Sequence, residues 1–393
     1  GSGILNTTGM FLGDNGGGNS TLNISGGTVT NTGAAIWLAG SNNTVSVSGG
    51  TFNNTAQNFE LGAGIANGIS TVTVNGTGAM NLATIVWGRT TSSNTTLNLG
   101  TGSAGGNLSI SGISWVGGSH TINFNGGTLT TSGAITISSA NAATVVKSGG
   151  AVFNVASNTL TMSGILATDG TGGGLTKNGT GTLTLSNANT YTGGTTVNAG
   201  TLSLATAGAD GTIRGNLTIN QGARVDANAT NWSLGYGGTQ NYLGNSVSAI
   251  TINGGTLYFT DSTNDGGIVA ATTVLTGGTI SSAGNFAFLS TYTYNQTVQS
   301  LASANRSTLA SGIAHDLNNV LTPILMSVEV LGELARTDQH RAVLAALDEL
   351  GYPHEQLAIF DDLDLLRQKL QSFRPDVIFN LADQFRKAGR EPL

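Results

Sequence analysis

One pattern governs the first three quarters of this chain. Short stretches alternating apolar and polar residues run into a glycine pair, then a threonine, then another alternating stretch. TLNISGGTVT (21–30), TVSVSGGTFN (44–53), HTINFNGGTLT (120–130), AITINGGTLYF (249–259) and TVLTGGTI (273–280) share this wording. Their second glycines, with that of KSGGAVFN (147–154), fall at 27, 50, 127, 150, 255 and 278, so the intervals 27 to 50, 127 to 150 and 255 to 278 are identical. Period-two alternation bounded by Gly and Asn predicts half-buried strands. A fixed interval in the twenties predicts stacked units, none of which buries its apolar face alone.

Those two facts narrow the fold. The strands are too short for a two-sheet core, and a propeller would need a recurring aromatic mark, whereas aromatics are only 6% of the chain. The expected fold is all-β, a right-handed parallel β-helix over 1–305 with a short α/β appendage at the C-terminus. Glycines at one phase of the repeat predict tight corners at positive φ. Outward Thr and Asn predict ladders of like residues along the axis. At about 23 residues per turn, roughly 13 turns would make a rod on the order of 60 Å long at the spacing of adjacent strands.

The stretch GLTKNGTGTLTLSNANTYTGGTTVNAGTL, residues 174–202, holds the rule in miniature. Leu183 and Leu185 point one way and Thr182, Thr184 and Ser186 the other, a polar corner follows at Asn187 to Thr190, and a second strand carries Val197, Leu202 and Leu204. This wording resembles the passenger-associated repeat of bacterial autotransporters. The resemblance is specific here and continuous in style over 1–305. It implies a secreted, surface-displayed β-helix, a stalk or adhesin at the bacterial outer membrane exterior, and does not name a ligand; the expected partners are host-surface or glycan ligands. The pattern of a translocating β-barrel is absent from these residues.

Composition excludes several classes. Residues 1–305 carry five basic and seven acidic side chains, which leaves nine of the 14 basic and 13 of the 20 acidic for the last 88. Neither part has the basic excess a phosphate backbone demands, so nucleic acid is not an expected partner. Cysteine is absent, which removes disulfides and thiolate metal sites. No apolar run of about 18 residues exists to span a membrane as a helix. The opening GSGILNTTGM lacks the basic and apolar regions of a signal peptide and reads as starting mid-protein, with any signal upstream or removed.

The repeat region offers little for catalysis, and neither a cofactor nor a metal site is expected in it. Its seven acids are scattered, with only Asp261 and Asp265 close enough to suggest a pair for polysaccharide cleavage. His120, the one imidazole before residue 305, is read as a solvated turn residue. GDNGGGN (13–19) has glycines without the spacing of a calcium-binding nonapeptide. Trp37, Trp87, Trp115 and Trp232 suit either stacking on sugars or a place in the core or an end cap. A non-enzymatic stalk is the expectation, and a polysaccharide-active or glycan-binding β-helix the alternative.

Near residue 305 the subject changes. All four prolines lie beyond it, and only four of the 60 glycines do. Leu309, Ile313, Leu317, Val320, Leu321, Ile324, Val328 and Leu331 follow helical spacing, with Ser307 or Thr308 available as N-cap. IAHDLNNVLTPILM (313–326) resembles the phosphoacceptor box of sensor histidine kinases. That resemblance implies a phosphoacceptor at His315, with Asp316 activating it and Asn319 on the same helical face. The nucleotide-binding boxes of such a kinase are missing. Residues 341–385 predict a partial βαβ unit resembling the amino-terminal edge of D-alanine–D-alanine ligases. The division is therefore 1–305, 306–340 and 341–393, the last two expected to be a chimeric, non-functional tail from cytoplasmic types of protein.

Overall fold

The computed structural model describes residues 2–294 apart from 14–17, 63–66, 90–91, 103, 207–210, 229–232, 235–246, 261–265, 269–271, 284–285 and 289–290. The described residues are all-β, without a helix, and belong to one unit, Gly1–Gly312. The expected α/β appendage, with the divisions at 306–340 and 341–393, lies outside them.

Every pairing between these strands is parallel, and each strand pairs with its counterpart one turn earlier or later, so the described residues form a β-solenoid. Three long sheets run along the axis. Sheet 1 has 15 strands, among them Thr28–Asn31, Thr128–Thr131, Leu175–Asn178 and Val247–Asn253. Sheet 2 has seven, from Asn19–Ile24 to Leu166–Thr168, and sheet 3 has seven, from Ile135–Ile137 to Thr279–Ser282.

Alternation sets which side chains face inward, because successive Cβ atoms leave opposite faces of a strand. Stacking then lines inward residues into apolar columns. Leu160, Leu183, Leu202, Val225 and Leu257 form one such column on sheet 3, all fully buried. Burying a side chain of this size contributes about 1.5–3 kcal/mol, so each turn is held mainly by the turns above and below it.

The expected second strand of the central stretch is two strands. Thr195–Val197 belongs to sheet 1 and Gly200–Leu204 to sheet 3, divided by a corner at Asn198 and Ala199 where Gly200 takes φ 64°. Two alternating runs in one phase read as one strand when the corner between them has no proline or glycine pair.

Turn length is not uniform. The stacked residues Thr30 and Asn53 are 23 residues apart, but Asn53 and Asn81 are 28 residues apart, and Asn220 and Asn253 are 33 residues apart. The parallel ladder fixes only which residues stack, and loops at the corners absorb the difference.

The glycine pairs serve two purposes rather than one. Gly27 adopts φ 74°, as expected for a tight corner. Gly50, at the same phase, is not among the glycines with positive φ. There a Cβ would sit 2.7 Å from the carbonyl oxygen of Gly27 in the turn below, so glycine is required by close stacking of backbones.

The expected ladders are present. Asn198 Nδ2 donates to Asn178 Oδ1 at 2.8 Å, Asn220 Nδ2 to Asn198 Oδ1 at 2.7 Å, and Asn253 Nδ2 to Asn220 Oδ1 at 3.4 Å. Each carboxamide donates downward and accepts from above, which turns one corner of the rod into a continuous hydrogen-bonded file.

Candidate functional site

A cluster of aromatic and charged side chains lies on the early turns of sheet 1. Phe11, Trp37 and Glu60 occupy one outward column, because Phe11 pairs with Trp37 and Trp37 with Glu60 in consecutive turns. The Phe11 and Trp37 rings meet edge to face at 5.2 Å and 81°. Phe11 is 63% exposed. Arg89, just past the strand Ala79–Trp87, reaches back so that its guanidinium lies 4.5 Å from the centre of the Trp37 ring and pairs with the Glu60 carboxylate. Glu60 is buried beneath that contact. A guanidinium over an indole contributes about 0.5–1 kcal/mol at an exposed site. The result is a platform of one open ring, one covered ring and a neutralised ion pair.

Directly inside the same turns sits a second aromatic group. Trp87 is fully buried and stacks on Trp115 at 5.3 Å, and both indoles contact the imidazole of His120, at 5.5 and 5.7 Å. Of the two roles expected for the tryptophans, Trp87 therefore takes the core and Trp37 the outer surface. Trp87 Nε1 has no partner among the described residues.

His120 is a correction to the sequence reading. It is buried rather than solvated, lies within the strand Ser119–Phe124, and its Nδ1 is 2.7 Å from Thr95 Oγ1 in the turn below. The signal was present in HTINF: Ile122 and Phe124 face inward, so a residue of the same parity must as well. Burial lowers its pKa below the ordinary 6.5, partly offset by a hydrogen bond with the Gly117 backbone. A neutral imidazole accepting from Thr95 fits this surrounding.

Lys177 is a buried cation that sequence reasoning did not single out. It follows Phe153 in an inward column of sheet 1 and has no exposed surface. Its Nζ donates to the carbonyl oxygens of Asn178 at 2.9 Å, Gly179 at 2.8 Å and Ala199 at 3.1 Å. Burial pulls its pKa down to about 8. Leu175, two positions earlier, is inward, so parity again carried the signal. The lysine closes the corner through which two turns pass.

The same repeat satisfies its other polar groups internally. Asn189 accepts from the Leu166 backbone N–H at 2.8 Å and donates to the Thr212 carbonyl at 2.8 Å, bridging three turns. Tyr191 is wholly buried with its hydroxyl 2.7 Å from Thr195 Oγ1, and burial raises its pKa. These contacts account for Asn189, Tyr191 and Lys177 as structural residues.

Asp261, Asp265, Trp232, His315, Asp316 and Asn319 lie outside the described residues. Among the described residues there is no group of three or more His, Asp or Glu placed to hold a metal ion, and no helix long and apolar enough to cross a membrane.

Residues 175–204 match the family model of the passenger-associated-transport-repeat. The match begins at the strand Leu175–Asn178, ends at Leu204, and so takes in the Lys177, Asn189 and Tyr191 contacts. Over 114 residues the chain is 40% identical to an adhesin, the BmaC autotransporter of Brucella suis biovar 1 (strain 1330). That alignment covers 29% of this chain and 3% of the relative, so the chain corresponds to a small part of that protein. No solved structure matches.

Proposed function

We propose that residues 1–305 form a segment of a non-catalytic, surface-displayed stalk of an autotransporter-type adhesin. The observation that carries the reading is that the matched repeat, 175–204, is a structural unit. Its strands, its buried lysine and its asparagine bridges build the turn itself. The adhesin relative points the same way. The stalk is secreted and stands outside the bacterial surface, with a host surface or a glycan as its partner.

The test is adhesion by the purified 393-residue chain on beads, measured against host cells, matrix proteins and a glycan array. Saturable retention on one of these surfaces is expected. Retention no better than uncoated beads on all of them would remove the adhesive part of the reading.

A glycan-binding reading has a specific observation in its favour, the Phe11 and Trp37 platform. Pyranose rings stack on open aromatic faces, and the Arg89 and Glu60 pair beside it is neutral, so an uncharged sugar is the ligand of choice. Loss of array signal in Phe11→Ala with unchanged melting would support it. A polysaccharide-cleaving reading rests on Asp261 and Asp265. Reducing ends released from a polyuronide panel, and lost in Asp261→Asn, would be needed to adopt it.

The tail is assigned to neither reading. Residues 306–393 are proposed to be foreign matter joined to the stalk. Deleting them should leave soluble monomer yield unchanged. A collapse in yield would make them a cap, and an acid-labile phosphate on His315 in the presence of a histidine kinase would make them a phosphate receiver.

A further inference from the structure

Sheet 2 presents an outer face of small polar residues that is unbroken over five turns. In the strands Asn19–Ile24, Asn42–Val47, Ile69–Val74, Asn94–Leu99 and Ser119–Phe124, residues pair one to one without a bulge. The central outward column is therefore Thr21, Thr44, Thr71, Thr96 and Thr121, five threonines in five consecutive turns. On one side run Asn19, Asn42, Ile69, Asn94 and Ser119, and on the other Asn23, Ser46, Thr73, Asn98 and Asn123. Fifteen outward positions carry no charge and no aromatic ring.

The outer columns are tied along the axis. Asn42 donates to Asn19 at 3.1 Å, Asn98 to Thr73 at 3.2 Å and Asn123 to Asn98 at 2.8 Å, each through one of its two amide hydrogens. Among the described residues no hydrogen bond engages the five hydroxyls of the central column. Behind them Val45, Val72, Leu97 and Ile122 are buried, so the lattice rests on packed core. Its rigidity is set before any ligand arrives.

Its spacing points to a ligand. Adjacent strands place successive threonines about 4.8 Å apart. Water molecules joined by O–H···O bonds of about 2.75 Å in a tetrahedral network have second neighbours about 4.5 Å apart. A column of hydroxyls at nearly that interval, each with a methyl beside it, offers sites in register with ordered water while the methyls keep neighbouring water from competing. A flexible glycan would have to lose chain entropy on such a face, and the face offers it neither an aromatic platform nor a charged fork. A solid with its own two-dimensional order loses none.

We propose that the outer face of sheet 2 binds ice, through the Thr21 to Thr121 column and the Asn and Ser columns beside it. Sheet 3 also has outward threonines, among them Thr161 and Thr184, but its columns are broken by Arg224, Asp226 and Tyr258. Sheet 1 carries a shorter column, Thr176, Thr196, Thr218 and Thr251, which ends at Val274; the proposal is confined to the five-turn column of sheet 2. This inference is independent of the stalk reading, since a rod without adhesive activity would keep the face.

The experiment compares the 393-residue chain with three double variants, Thr71→Lys/Thr96→Lys, Thr44→Lys/Thr121→Lys, and Thr161→Lys/Thr184→Lys on sheet 3. Each variant is interpreted once its circular dichroism and melting match the parent, and either sheet 2 pair suffices. The readouts are partition into slowly grown ice, faceting of single ice crystals, and adsorption to microcrystalline cellulose. The parent should concentrate in ice and facet crystals. Both activities should fall to buffer level in the sheet 2 variants and persist in the sheet 3 variant. The proposal is overturned if the parent is excluded from ice like an inert protein, if the sheet 2 variants match the parent, if the sheet 3 variant loses as much, or if cellulose alone retains the chain.

Discussion

The turns before residue 125 and those after residue 135 follow one alternation and build different cross-sections. In the earlier turns the strand of sheet 1 runs on around the next face, as in Thr51–Leu61, Ala79–Trp87 and Asn107–Trp115, and the stacked Asn53 and Asn81 are 28 residues apart. In the later turns the third face becomes a separate sheet, beginning at Ile135–Ile137, and the stacked Asn178 and Asn198 are only 20 residues apart. The earlier turns hold Trp87, Trp115 and His120 against one another and carry Arg89 outside. The 20-residue turn is closed at its corners by Lys177 and Asn189, and the asparagine file runs on from it across a turn of 33 residues. Polar groups fill a corner in the later turns where aromatic volume fills it in the earlier ones.

The largest expected effect tests the aromatic side of this contrast. Trp87→Ala should cost about 3–5 kcal/mol through the cavity it leaves. Because a solenoid is held turn to turn, the loss should appear as faster amide exchange over 79–124, with 175–227 still protected. Equal loss of protection in both regions would mean the rod unfolds as one unit and the contrast has no energetic meaning.

Next is the polar corner. Lys177→Ala leaves the carbonyls of Asn178, Gly179 and Ala199 without their donor, at about 1–3 kcal/mol for a buried group so orphaned. It should lower the melting temperature and expose 175–204 first. The same lysine gives an alkaline signature. With a folded pKa of about 8 against 10.5 unfolded, the unfolded chain holds a proton that the folded chain has released. Stability should therefore rise as pH climbs from 8 to 10.5, and Lys177→Met should flatten that rise in denaturant midpoints.

His120 gives the acid counterpart in the earlier turns. Its folded pKa is lowered from 6.5, so below 6.5 the unfolded chain takes up a proton the folded chain resists. The stability this contributes is complete above pH 6.5 and is lost as pH falls toward the lowered value. His120→Gln should remove that part of the acid slope, read as exchange in 94–124 on the two sides of the unfolded pKa. An unchanged slope would place the acid sensitivity elsewhere.

The smallest effect belongs to the asparagine file. Asn198→Ala breaks two links of an exposed ladder and should cost roughly 0.5–1.5 kcal/mol in urea midpoint. A cost above that range would show the file to be cooperative along its length.

Much of this was legible residue by residue. Leu183, Leu185, Ile122 and Phe124 announce strands and their inward side through period two alone, and the outward Asn and Thr announce ladders. The same parity also placed His120 and Lys177 inside, but a polar side chain beside a glycine corner reads as solvated when its partners are unseen. Those partners, Thr95 for His120 and Ala199 for Lys177, lie 25 and 22 residues away. The Phe11, Trp37, Glu60 and Arg89 platform was equally hidden, because its members are brought together by stacking and not by spacing.

Strands, the two faces of each strand and the stacked parallel architecture were all written in the order of the residues, since alternation and recurring glycine corners are local properties of the chain. Which residues became neighbours was settled by packing in three dimensions. That choice depends on how much chain each corner absorbs, and turns of 20 residues, 28 residues and 33 residues bring different side chains over one another. Register in a parallel ladder is a non-local quantity, set by the whole column of packed side chains rather than by any one turn.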